Sequence, residues 1–229
     1  MTRAPRPAHR PAAVIFDMDG LMLDTERLAP RAWVDAAAAL GVEFDLALTQ
    51  PMVGRNFRDC QAIIATHYGD DFPTVELMRA WHVAYDAIVA REGIALKPGL
   101  IDLLEWLEAE GIPKAVATST RRDRALAKLE LTSLAPRFVA LVGGDEVARG
   151  KPAPDIFLAA AQRLGEPAPR CLVLEDSEPG VRAALAAGMT PIMVPDLHAP
   201  SADLAALTPL VLASLAEVAA HLAPLPRVP

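Results

Sequence analysis

Two aspartates separated by one residue, Asp17 and Asp19 in the run Phe16-Asp17-Met18-Asp19-Gly20, are the first side chains whose type and spacing suit chemistry. A second acidic pair, Glu175 and Asp176, stands far downstream, and between the two pairs lie the hydroxyls of Thr118 and Ser119 and the ammonium of Lys151. Carboxylates brought together repel one another unless a cation sits among them. Hard oxygen donors with few histidines nearby favour Mg²⁺ over Zn²⁺. A lysine and a hydroxyl beside such a centre suit a phosphoryl group, whose charge needs both metal and cationic partners. Each residue also has an ordinary reading. A strand-end Asp commonly caps a turn, Asp176 is placed to cap a helix from about Glu178, and a loop lysine usually faces only water. Two other motifs fail on spacing. DMDGLMLDTE has its glycine at the fourth position, where a calcium loop needs it at the sixth, and GGDEVARGK is misspaced for a P-loop and carries Pro152 in place of Ser or Thr.

The elements that must position these groups are legible as short apolar runs alternating with amphipathic ones. Strands are predicted at 13–16, 115–117, 139–142, 171–174 and 191–194, each short, apolar and stopped by polar or turn residues. Helices are predicted at about 99–111, 122–131, 154–165 and 178–187, with Pro154 in the first turn of the third and Gly165 and Gly188 just past two ends. Strands alternating with helices imply a parallel α/β sheet of the Rossmann-like kind, helices on both faces, with ligands beyond the carboxyl ends of the strands. Asp17 and Asp19 follow the first strand, Thr118 and Ser119 the second, Glu175 and Asp176 the fourth, and Lys151 the loop after the third. Residues 25–95 break the alternation, with helical patterning and no convincing strand. They read as an inserted all-α domain, leaving 1–24 and 96–229 as the α/β core. Residues 1–11 and the tail from about Pro224 read as loose arms.

Composition narrows the function. Hydrophobic residues make up 52% and charged residues 22% of 229, which is globular. The net charge of −7 gives no electrostatic reason to bind nucleic acid or an anionic membrane. No apolar run approaches the ~18 residues of a membrane span, and the stretch before Asp17 is too short for a signal peptide. Two cysteines, Cys60 and Cys171, suggest a reduced, cytoplasmic protein rather than a disulfide scaffold, and neither has basic neighbours that would make it a nucleophile. Asp24, Glu26 and Asp145 read as turn or cap residues, His67, His82 and His221 as surface or packing groups, and Trp33, Trp81 and Trp106 as core.

FDMDG, VATST, RGKPAPDIF and LEDSEPGVRAALAAG, in that order and each near a predicted strand end, resemble the four motifs of the haloacid dehalogenase superfamily, in the branch with a helical cap after the first motif. The likeness covers nearly all of residues 13–222. It implies that Asp17 attacks phosphorus to form an aspartyl-phosphate, splitting one displacement into two. Asp19 would protonate the leaving oxygen and then deprotonate water. Asp17, the backbone carbonyl of Asp19 and Asp176 would hold Mg²⁺, with Glu175 behind them. Thr118, the Ser119 backbone N–H and Lys151 would bind phosphate. Within the family, Asp19 argues against dehalogenation, and the absence of lysine from 25–95 argues against phosphonate cleavage through a Schiff base. A sugar-phosphate mutase of the β-phosphoglucomutase type is the nearest rival, but its cap histidine falls at Ala29 and its cap lysine is missing. The expectation is a Mg²⁺-dependent phosphatase of a small phosphorylated metabolite, with a catalytically silent phosphate-binding module as the alternative of another class. Gly54, Arg55 and Asn56, with Arg27 and Arg58 behind, are the expected substrate contacts from the cap. The family pattern is compatible with a monomer.

Overall fold

Alternate residues of the predicted strands point to two different apolar layers, and this is what sandwiches the sheet. The computed structural model describes residues 7, 9–197, 199–207 and 210–226. In β1 (Ala13–Phe16), Val14 and Phe16 join one core with Leu103, Leu104 and Leu107, while Ala13 and Ile15 join another with Ile156, Phe157 and Ala160. Period-two alternation with both faces apolar is the pattern of a buried parallel strand. The other strands are β2 (Lys114–Ala117), β3 (Ala140–Val142), β4 (Cys171–Glu175), β5 (Thr190–Met193) and β6 (Leu210–Val211). All pair in parallel in the order β3-β2-β1-β4-β5-β6. This is the doubly wound order, in which chain direction across the sheet reverses at β1/β4 and opens a crevice there.

Helices α1 (Ala29–Leu40), α2 (Thr49–Met52), α3 (Phe57–Tyr68) and α4 (Thr74–Glu92) follow β1. They share an apolar cluster of their own around Trp33, Ala36, Ile64, Leu77 and Met78. The two chain segments that lead into and out of this helical stretch lie side by side: the Asp24 N–H donates to the Ala95 carbonyl at 2.9 Å and the Lys97 N–H to the Met22 carbonyl at 2.9 Å. Around the sheet lie α5 (Leu100–Ala109), α6 (Arg122–Leu131), α7 (Asp155–Leu164), α8 (Glu178–Ala186), α9 (Ala202–Ala206) and α10 (Ala216–Leu222).

Several details differ from the sequence reading. Val139 is exposed and stands outside β3. Pro154 is the N-cap of α7 rather than a first-turn residue. The strand β6 and helices α9 and α10 were not anticipated, because two paired residues and short helices leave too few positions for a period to show. The inner parts of the expected loose arms clasp each other: the Arg10 N–H donates to the Pro226 carbonyl at 2.8 Å, and the Arg10 guanidinium reaches the Leu225 carbonyl and the Glu110 carboxylate. The outer parts, residues 1–6, 8 and 227–229, lie outside the described residues, as do 198 and 208–209. Among the described residues no helix is long and apolar enough to cross a membrane.

Candidate active site

Strand register brings the acidic pairs together. Phe16 is level with Leu174 on β4 and with Val116 on β2, so the residues after all three strands emerge side by side. The Asp17 N–H donates to the Leu174 carbonyl at 3.0 Å, which extends the β1–β4 ladder to the site itself. Asp17, Glu175 and Asp176 are all buried, and each offers an oxygen within 4.8 Å of the others. Lys151, wholly buried, ion-pairs with Asp17 and, at 2.5 Å, with Glu175. Its ammonium also donates to the Ala117 carbonyl at 3.3 Å and lies 5.0 Å from the centre of the Phe157 ring. The second Glu175 oxygen accepts the N–H and the hydroxyl of Ser177, each at 2.9 Å. Ser177, not Asp176, caps α8 through the Gly180 N–H, so Asp176 is released from the ordinary role its position suggested.

The charges are not balanced by protein alone. Burial, reinforced by Glu175 and Asp19 and opposed by Lys151, pushes the Asp17 carboxyl up to about 8. Burial together with Glu175, Asp17 and Glu26 pushes Asp176 well above the usual carboxylate range. Burial acts against a charged Lys151, yet Asp17 and Glu175 hold it above its ordinary value, so it stays an ammonium. Three hard oxygen donors with one lysine leave room for a further cation, and the donor set fits a divalent metal of the Mg²⁺ kind. Gly20 is part of the same construction. Its φ of +83° is a left-handed conformation, and a Cβ there would overlap the Asp176 carboxylate.

Asp19 is held from three sides. Lys128 donates to its Oδ1 at 2.6 Å, Thr25 to the same oxygen at 2.9 Å and Thr120 to Oδ2 at 2.7 Å. Burial alone would raise Asp19, but Lys128 and the two hydroxyls hold it below its usual value. The Thr118 hydroxyl lies 3.5 Å from Asp19 Oδ2 and accepts the Thr120 N–H at 3.1 Å. Lys128, Thr120 and Thr25 were not anticipated. Arg121, Arg124 and Lys128 recur at helical spacing and all line the cavity, a signal present in the sequence but indistinguishable there from a solvated face. Glu26 is also more than a turn residue. It lines the cavity, and burial with Asp19 and Asp196 as neighbours pushes it up to about 7.

These groups open into a cavity of about 210 Å³ between the carboxyl ends of the strands and the helices of 29–92. Asp17, Asp19, Thr118 and Ser119 line one side, and Trp33, Met52, Met78, Trp81, His82 and Tyr85 another. Trp33, Trp81 and His82 therefore form its wall as well as packing. His82 Nδ1 lies 3.0 Å from the Met78 carbonyl, and burial with Arg124 nearby lowers its proton affinity. Gly54 and Arg55 line the cavity, and the Ser119 hydroxyl donates to the Gly54 carbonyl at 2.8 Å. Asn56 is not in the lining. Its side-chain oxygen accepts the Asp59 N–H at 2.9 Å and caps α3, as Asn does at a helix start. Arg58 donates to the Ala148 carbonyl at 2.8 Å and Arg27 to Asp24 at 3.1 Å, so both are engaged elsewhere. Asp145 accepts the Arg122 N–H at 2.7 Å, the cap-type role expected of it.

Comparison with known proteins gives the same picture over most of the chain. The probable pseudouridine-5'-phosphatase of Drosophila melanogaster is 37% identical over 210 residues, spanning 89% of this chain and 89% of its own length. Fructose-1-phosphate phosphatase YqaB of Escherichia coli (strain K12) is 34% identical over 197 residues, spanning 81% of this chain and 97% of its own. The crystal structure of CbbY from Rhodobacter sphaeroides in complex with phosphate superposes with a TM-score of 0.77 at 31% identity, covering 93% of this chain and 99% of that one. The model of haloacid dehalogenase-like hydrolases matches residues 11–188, a range that includes the strand-end carboxylates, Thr118 and Lys151. The chain belongs to the haloacid dehalogenase-like hydrolases.

Proposed function

We propose that this hydrolase is a Mg²⁺-dependent phosphatase that cleaves a small phosphorylated metabolite through an aspartyl-phosphate on Asp17. The observation that carries the reading is the buried group Asp17–Glu175–Asp176 with Lys151 in its midst, opening onto the cavity that Asp19 and Thr118 share. The relatives named above as phosphatases of a nucleotide-like and a sugar substrate support it. Asp17, Asp176 and the backbone carbonyl of Asp19 would hold the cation, with Glu175 behind them gripping Lys151 and Ser177. Bound there, the cation supplies positive charge to the phosphoryl oxygens.

The residues then have distinct tasks. Lys151 orients Asp17 and neutralises charge as its carboxylate attacks phosphorus and the ester oxygen departs. Asp19 gives that oxygen its proton. It is held ionised here; the arriving phosphate dianion raises its proton affinity by like-charge repulsion, and it takes up a proton from solvent before the ester oxygen departs. After the alcohol leaves, the Asp19 carboxylate takes a proton from water, which attacks the phosphorus and frees Asp17 and inorganic phosphate. Thr118 and the Ser119 backbone N–H bind the phosphoryl oxygens. Residues 25–95 act as the cap domain on a core of 1–24 and 96–229, closing over the cavity to exclude bulk water and contact the leaving group through Gly54 and Arg55.

Water is the proposed acceptor rather than a sugar. Ala29 lines the cavity where the resemblance places the mutase histidine, and its methyl group can neither donate nor accept a proton. The test is p-nitrophenyl phosphate turnover after EDTA treatment, with and without added Mg²⁺, followed by a panel of phosphorylated metabolites. Metal-restored release of phosphate supports the reading. A folded protein inert toward every ester would support a silent binding module, and interconversion of sugar 1- and 6-phosphates faster than phosphate release would support a mutase.

A further inference from the structure

Asp19 must change partners twice in the proposed cycle, so whatever fixes its carboxylate bears on both half-reactions. Its strongest partner is Lys128 on α6, an element that carries none of the motif residues. The Lys128 ammonium donates to Asp19 Oδ1 at 2.6 Å and lies 5.0 Å from the centre of the Tyr85 ring on α4. Both side chains are largely withdrawn from water: 13% of the Lys128 side chain is exposed, and Tyr85 is 3% exposed. Lys128 is thus gripped between the strand-end aspartate and an aromatic face contributed by the helical stretch 29–92. A desolvated ammonium so placed is attracted to both, by a charge-assisted hydrogen bond and by the ring quadrupole. Beside it the buried Tyr85 hydroxyl has no hydrogen-bond partner among the described residues, and Tyr85 lines the same cavity. Arg124, one turn earlier on α6, ion-pairs with Asp86 on α4, so the two helices are joined at two successive points.

We propose that Lys128 is a positioning residue for Asp19, and that Tyr85 seats Lys128 so that the acid–base carboxylate is aligned when the α4 face lies over the site. The inference rests on the assignment of Asp19 as the acid–base group. Lys128 acts through Asp19 and needs no contact with substrate. Its ammonium fixes Oδ1, Thr120 fixes Oδ2, and the carboxylate is confined to the orientation from which proton transfer is short. Small misplacements of such a group cost rate steeply. With Lys128 removed, Thr25 and Thr120 still bind Asp19, so the loss falls on alignment rather than on the fold of the turn.

The experiment compares kcat/KM for two esters in the Mg²⁺-loaded enzyme. p-Nitrophenyl phosphate has a leaving group that needs no proton, whereas glycerol 3-phosphate, or the best alkyl ester of the panel, needs one. Lys128→Met is expected to lower kcat/KM for the alkyl ester about ten- to a hundredfold, the scale of one charged hydrogen bond. The aryl ester should fall severalfold less. Lys128→Arg should recover part of the loss, and Tyr85→Leu should shift the alkyl-to-aryl ratio in the same direction by a smaller factor. In an Asp19→Asn background, Lys128→Met should add little, because the two residues act as one unit. Equal losses on both esters, or losses that multiply with Asp19→Asn, would overturn the proposal. If Lys128→Met does not fold, Tyr85→Leu and Lys128→Arg decide by the same ratio. An Asp19→Asn enzyme as fast as wild type on the alkyl ester would instead remove the acid–base assignment on which this inference depends. A slow Asp19→Asn with an unaffected Lys128→Met would refute this inference alone.

Discussion

Gly180→Ala would be stabilising if α8 were any surface helix. Gly180 lies in the first turn of α8, and alanine is favoured over glycine inside a helix by about 1 kcal/mol. The structure reverses that sign. A Cβ on Gly180 would overlap the Glu175 carboxylate, which is wholly buried and cannot swing aside into water. It is pinned by Lys151 at 2.5 Å and by the Ser177 N–H and hydroxyl at 2.9 Å each. To make room, Glu175 must release Lys151 or α8 must shift off the sheet. Parting a buried ion pair costs about 3–5 kcal/mol. Set against the propensity gain of about 1 kcal/mol, the variant should be about 2–4 kcal/mol less stable. At about 2–4 °C per kcal/mol for a chain of this size, that is a fall in Tm of about 4–16 °C. Thermal unfolding in EDTA measures it without interference from metal, and p-nitrophenyl phosphate turnover in Mg²⁺ should fall with it because Lys151 loses its anchor. A variant as stable as wild type, or more so, would show that the Glu175–Lys151 pair can relax without cost and that its geometry is not what fixes α8 against β4.

Other expectations follow from the same groups. Asp17→Asn keeps the side chain's volume while removing the nucleophile, so turnover should drop by several orders of magnitude with little change in the unfolding transition; retention of a tenth of the wild-type rate in a clean preparation would refute the covalent route. Asp176→Ala should raise the Mg²⁺ concentration for half-maximal rate more than Glu175→Ala does, and a titration giving the reverse order would mean the direct ligand has been misassigned. Asp17 is raised to about 8 without metal, so in the window from about pH 4 to 8 the folded chain binds a proton that the unfolded chain has released. Stability in EDTA should therefore fall as pH rises through that window. The gain in Tm on adding Mg²⁺ should be larger at pH 8 than at pH 6, and a gain that shrinks with pH would contradict the assignment.

The sheet was legible because its evidence is local. Val14 and Phe16 face one layer and Ala13 and Ile15 the other, so four consecutive apolar residues announce a strand buried on both sides. The acidic pairs were legible because each stands in a short run at the end of a strand, and Lys151 because it stands in a Gly- and Pro-marked loop between β3 and α7. What was not legible depends on contacts across the fold. Lys128 looks like one of several solvated charges on α6 until β1 brings Asp19 beneath it and α4 brings Tyr85 beside it. Glu26 reads as a turn residue because nothing nearby in sequence shows that it will be half-buried close to Asp19 and Asp196. Asn56 misleads in the opposite direction. A polar residue between Arg55 and Phe57 in a glycine-marked loop suggests a substrate contact, yet the same side chain is a good helix cap, and the structure uses it so.

The placement of Lys151 carries the argument about charge one step further. A lysine that is wholly buried is tolerated only when its charge is matched, and here Asp17 and Glu175 both pair with it while Asp176 stands beside them, so three ionised carboxylates would exceed its single charge by two. Burial, reinforced by this surplus of like charge, raises Asp17 and Asp176. A protonated Asp17 cannot attack phosphorus. On the proposed reading the same imbalance would hold back Asp17 as a nucleophile until a divalent cation bound beside it and its proton left. Replacing Lys151 by a neutral residue would enlarge the surplus rather than relieve it, and would raise Asp17 further. Burial of the lysine and dependence on a metal would then be two sides of one arrangement: Lys151 would orient Asp17, and a bound cation would complete the neutralisation that Lys151 alone leaves unfinished.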